Sequence, residues 1–180
     1  MNNHRFTRIR NVAIAVAGLG LAIAAPASAF AGTQPAAHAA PASSVPQCLT
    51  RNLSGSLQNG NGGAGSVFSD LTLRNTGSSA CRVGGFPGVS YVASRGGHQV
   101  GAAAIRLGFP DGWVTIEPGR TAAAQIQEVD ALNFPSSTCH ITSVAGLRVY
   151  PPNQTKPLFV AQKGQACANR ALTQLTVRAF

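Results

Sequence analysis

LTLRNTGSSACRVGGFPGVSYV, residues 71–92, decides the reading of this chain. Leu71 and Leu73 alternate with Thr72 and Arg74, the period of a half-buried strand. Asn75-Thr76-Gly77 then supplies a turn, Cys81 follows four residues later, and Gly84-Gly85-Phe86-Pro87-Gly88 redirects the chain into a second apolar run. Glycines around Phe86 let backbone approach closely, so Phe86 is expected to fill the core there. The stretch is therefore a folding device, with Gly77, Gly85 and Pro87 as turn positions and a cysteine to tie it elsewhere.

The same pattern recurs outward. Val67 joins Leu71 and Leu73 on one face; Ala122, Ala124 and Ile126 share another; Ile141, Ala145, Leu147 and Val149 a third; Leu175 and Val177 a fourth. Turn signals stand between them at Gln58–Gly63, Ser94–Gly97, Pro110–Gly112, Glu117-Pro118-Gly119 and Pro151–Asn153. Many short strands with turns at this spacing predict an all-β fold, a sandwich of antiparallel strands. No part of residues 48–180 carries a long apolar pattern of helical period.

The N-terminus reads differently. Arg5, Arg8 and Arg10 precede an uncharged run of 14 residues, Val12 to Ala25, and small residues follow at Ala27, Ala29 and Ala31. Basic, apolar, then small is the order of a secretory signal peptide, and the run is short of the roughly 20 residues that span a bilayer. The expectation is a signal peptide over 1–31, cleaved near Ala29 or Ala31, with no membrane span. Residues 32–47, rich in Ala and Pro, cannot bury enough to offset their ordering entropy and read as a flexible tether. Residues 48–180 are then one domain.

All four cysteines, Cys48, Cys81, Cys139 and Cys167, lie in that domain. An even count in a secreted chain predicts two disulfides, and the shortest gap of 28 residues does not suit zinc. If strands near 49–57 and 66–74 form a hairpin, their outer ends bring Cys48 to Cys81. A strand ending before Cys167 and one beginning after Cys139 do the same in the second half. Cys48–Cys81 and Cys139–Cys167 are the pairs expected among three connectivities.

Three of the 14 Lys and Arg leave with the leader, so 11 face the five acids and the remaining net charge is +6. The bases are scattered singly, which argues for solubility and against specific nucleic-acid binding. Catalytic signatures are missing. His98 and His140 are the only histidines in 48–180, there is no G-x-S-x-G, H-E-x-x-H or phosphate loop, and Cys139 offers no thiolate once oxidised. Glu128 and Asp130 read as ordinary charges leaving a strand. No cofactor or metal is implied; copper lacks a thioether, since Met1 is the sole methionine. Phe109, Trp113 and Phe134 are the aromatic candidates for a sugar platform, although large rings favour burial and Trp113 is expected in the core.

Leu71-x-Leu73-x-Asn75-Thr76-Gly77, Cys81-x-Val83-x-Gly85-Phe86-Pro87-Gly88-Val89, Glu117-Pro118-Gly119-x-Thr121-Ala122 and Tyr150-Pro151-Pro152 together resemble the actinobacterial secreted domain of unknown function family 4232, over essentially all of 48–180. The resemblance implies export and an immunoglobulin-like sandwich. Many members are lipoproteins, whereas this chain lacks a lipid-attachment cysteine. The resemblance supplies no catalytic or ligand residues to carry over to this chain. The reading is a secreted, monomeric, non-enzymatic binding module for an unknown protein or cell-wall ligand. The alternatives are a protease inhibitor, presenting Gln58–Gly63 or, better, Leu132–Thr138, and then a hydrolase, which would need His98 or His140 beside a serine and a carboxylate.

Overall fold

The computed structural model describes residues 44–180; the expected signal peptide and tether residues 32–43 lie outside the described residues. Strands dominate, as the period-two patterns require. In chain order they are β1 (Leu53–Gly63), β2 (Ser66–Asn75), β3 (Cys81–Val83), β4 (Gly88–Val92), β5 (Gln99–Val100), β6 (Ile105–Arg106), β7 (Val114–Ile116), β8 (Thr121–Val129), β9 (Ile141–Tyr150), β10 (Leu158–Cys167) and β11 (Leu175–Val177). One α-turn, α1 (Ser136–Cys139), precedes β9.

The strands form a five-stranded sheet in the order β1-β2-β8-β11-β6, a four-stranded sheet β10-β9-β4-β5 and a β3-β7 ribbon. Leu71, Ile126, Leu175 and Val177 of the first sheet and Val89, Leu147, Val149 and Val160 of the second bury their side chains in one cluster. A second cluster joins Leu53 and Leu73 to Val83 and Ile116 of the ribbon, the Cys48 and Cys81 sulfurs and Phe180. The bridges are Cys48–Cys81 and Cys139–Cys167, the pairs derived from the hairpin argument.

Pairing is not antiparallel throughout. β6 runs parallel to β11, with Ile105 opposite Thr176. The chain reaches β6 by leaving the four-stranded sheet at β5 and crossing to the edge of the other, so its direction is set by that crossover and not by a hairpin return. Alternation along a strand reports its faces and not the direction of its neighbour.

The β1–β2 hairpin is longer than its Asn-Gly-rich sequence suggests. Gln58–Gly63 is strand, paired to β2 through a register shift between Gln58 and Asn61. The turn falls on Ala64 and Gly65, both at positive φ (48° and 73°), as a two-residue hairpin loop requires. The hairpin tip reaches past the core, so Val67 shares the parity of Leu71 but is 43 % exposed.

At the opening stretch, Asn75 is the organising residue. It is 1 % exposed, its Nδ2 donates to Ser79 O (2.8 Å) and Ile116 O (2.9 Å), and its Oδ1 accepts from the Gly77 amide (2.9 Å). Its backbone bonds to Arg120 and Gly119, which places the Pro118-Gly119 turn against it. Gly119 takes φ 75° at the third position of that turn, closed by Arg120 N to Glu117 O, the geometry of a type II turn with proline second. Phe86 is not the core residue of its bend. Gly85 at φ 93° turns the chain so that Pro87 is fully buried while Phe86 stays at the rim, half-buried. The paired region begins ahead of Cys48: Pro46 O accepts from Arg82 N, and Gln47 Nε2 donates to Pro152 O.

Candidate functional site

His98 and His140 are both exposed, and neither side chain hydrogen-bonds a serine or a carboxylate among the described residues. The Cys139 sulfur, next to His140, is committed to Cys167. Leu132–Thr138 coils into a 3-10 turn, capped by the Asp130 carboxylate on Leu132 N, followed by α1.

Two places combine exposed or cleft-lining side chains with an unmet hydrogen-bonding group. The first is the surface around the segment 107–113, between β6 and β7. Phe109 is 89 % exposed and Trp113 49 %, so the expected burial of Trp113 does not occur. The β3–β7 ribbon explains why. It pairs Val83 with Val114, and Gly84 lies so close to the Gly112 carbonyl that no side chain could stand between them. With the Gly112–Trp113 backbone packed this closely on Gly84, the indole lies against the Arg82 guanidinium, 4.5 Å from Cζ to the ring centroid. Such a contact holds both groups in place without a hydrogen bond, and Arg82 Nε is buried with no partner.

Two more arginines border the segment. Arg106 stands 5.9 Å from the Phe86 ring centroid, and Arg178 lies with Phe109, Asp111 and Leu107 around a hollow of about 330 Å³. Phe180 N donates to Gly85 O and its ring is buried, which anchors the chain end beneath this surface. Three chain segments thus converge on a basic, aromatic face held by rigid backbone. Phe134, the third aromatic candidate, is elsewhere, packed on the Cys139–Cys167 cluster.

The second place is a cleft of about 580 Å³ between the edges β1 and β10, lined by Leu57, Asn59, Ser69, Val160 and Gln162 among others. Behind it sits Glu128, 7 % exposed, which the sequence reading treats as a surface charge. It shares the parity of Ala122, Ala124 and Ile126 and so points inward; the alternation contained that signal. Tyr91 Oη donates to its Oε2 (2.9 Å) and Gln162 Nε2 to its Oε1 (3.0 Å). Gln162 reaches it from a bulge of β10, where the register shifts between Ala161 and Gly164, a feature with no mark in the sequence.

Burial, and then the Glu128 carboxylate, push the Tyr91 phenol well above the ordinary tyrosine range. The folded chain keeps this proton where the unfolded chain loses it, so the contribution is full below about pH 10 and declines above it, by about 1.4 kcal/mol per pH unit. Urea denaturation between about pH 9 and 11 should show the onset of that decline, about 1.4 kcal/mol over the whole interval, and Tyr91→Phe should flatten it. An equal slope in both proteins would mean that the phenol ionises freely.

The family model described as Domain of unknown function (DUF4232) matches residues 48–180. No curated protein and no solved structure matches the chain.

Proposed function

We propose that this chain, which belongs to the DUF4232 family, is a secreted, monomeric, non-enzymatic binding module that docks a cell-wall polysaccharide on its Phe109–Trp113 face. Its leader is removed near Ala29 or Ala31, and the two sheets are an immunoglobulin-like sandwich that supports the loops. The observation that carries this reading is the Trp113 indole, half exposed, stacked on the Arg82 guanidinium whose Nε lacks a partner. A sugar ring offers an apolar face to the aromatics and hydroxyl or carboxylate oxygens to the arginines. Burying aromatic surface beside a guanidinium is the usual composition of a strong contact.

Co-sedimentation with isolated cell walls tests it. The Phe109→Ala, Trp113→Ala double variant should bind at least about 10-fold more weakly, as expected when central aromatic anchors are removed. Its thermal midpoint should fall only modestly, because Phe109 is almost wholly exposed and Trp113 is half exposed and belongs to no core cluster. Undiminished sedimentation of a folded double variant would remove this face from consideration.

A further inference from the structure

The cleft between β1 and β10 is unrelated to the aromatic face, and its chemistry is of the opposite sign. We infer that it is a binding site for a primary ammonium group carried on a slim aliphatic chain, as on a lysine side chain or a diamine. A carboxylate on the inward face of a strand loses its hydration, and a partly satisfied buried network is unfavourable unless something completes it. Both hydrogen-bond donors to Glu128, Tyr91 and Gln162, are neutral, so its charge is solvated but not balanced by them.

The orientation of Gln162 extends this demand into the cleft. Its amide nitrogen must face Glu128, since the reverse would set oxygen against oxygen, and this leaves Oε1 buried with no partner. Gln162 and Ser69 both line the cleft, and Glu128 stands one hydrogen bond behind Gln162, so a donor bound there is within a side-chain shift of the buried, unpartnered Oε1 and beside a hydroxyl. An ammonium carries three donors and no acceptor, the complement of that set. Leu57, Val67 and Val160 wall the same space and would cover a methylene stem. On the aromatic face the Asp111 carboxylate shares its hollow with the Arg178 guanidinium, and a neutral polyol in the β1–β10 cleft would leave the Glu128 charge unbalanced.

The probe is 1,5-diaminopentane, titrated into the isotope-labelled, disulfide-bonded chain near neutral pH and followed by amide NMR. Saturable shifts should appear at the Gln162 side-chain amide and at the backbone of Leu57 and Ser69. Pentane-1,5-diol, of equal length but neutral, should bind at least about 10-fold more weakly, as should the diamine to Glu128→Gln, because a charge-assisted contact is roughly twice as strong as a neutral one. Ser69→Ala, which leaves the Glu128 bonds in place, should weaken the diamine by several-fold and serves if Glu128→Gln fails to fold. Absence of saturable shifts, equal binding of the diol, or unchanged affinity in folded Glu128→Gln would each overturn the assignment without bearing on the aromatic face.

Discussion

Replacing Cys48 and Cys81 together by alanine should lower the unfolding free energy by about 3.5 kcal/mol. The bridge closes a loop with sequence separation 33, and the chain-entropy model assigns most of its effect to the unfolded ensemble. The Cys139–Cys167 bridge, at separation 28, should contribute nearly the same on that ground alone, because the dependence on loop length is logarithmic. Packing breaks the tie. Cys48 and Cys81 lie among the buried Leu53, Leu73, Ile116 and Phe180, whereas Cys139 and Cys167 pack with buried Ala131 and the partly exposed Phe134, Ile141 and Leu172. The first double variant should therefore show the larger loss in urea denaturation. A loss below about 1 kcal/mol for either would mean that the unfolded chain is already compact in that region. Against a typical domain stability of ~5 to 15 kcal/mol, losing either bridge removes a large share.

Asn75→Ala should cost about 3 kcal/mol, a loss usually associated with a core hydrophobe. The substitution strips the Ser79 and Ile116 carbonyls and the Gly77 amide of their partner at a position closed to water. Each buried group left unsatisfied costs about 1 to 3 kcal/mol, with some relief where the turn can open to solvent. Asn75→Asp should be worse than alanine despite its shape, since a carboxylate would face two carbonyl oxygens that now receive N–H donors. Urea midpoints of the two variants check both magnitude and order. If aspartate were tolerated better than alanine, the donor role assigned to Nδ2 would be wrong.

Much of this was legible at particular residues. The cysteine pairs followed from where a hairpin must bring its ends, and Leu71, Leu73, Ala122, Ala124, Ile126, Leu147, Val149, Leu175 and Val177 took the faces that their alternation indicates. Pro118-Gly119 declared its turn because proline second and glycine third admit few others. Elsewhere a local rule met a non-local competitor. Gln58–Gly63 looks like a loop, yet it continues as strand because β2 supplies a paired backbone opposite it. Phe86 and Trp113 look like core residues, yet Pro87 took the interior position of the first bend and Trp113 lies half exposed against Arg82 across the β3–β7 ribbon.

Both candidate sites belong to this second kind. Arg82 and Trp113 are 31 positions apart in the chain and meet only because β3 pairs with β7. Glu128, Tyr91 and Gln162 come from three strands in two sheets and meet only where those sheets close on one another. The sequence by itself determined the buried faces of the long alternating strands, which cysteines can pair and where proline and glycine turn the chain at Pro118-Gly119, because these depend on the preferences of neighbouring residues. Tertiary structure alone decided strand direction at β6, the exposure of the aromatics and which groups meet the Glu128 carboxylate. Those depend on which surfaces meet, and alternation along one strand carries no record of what lies across the core.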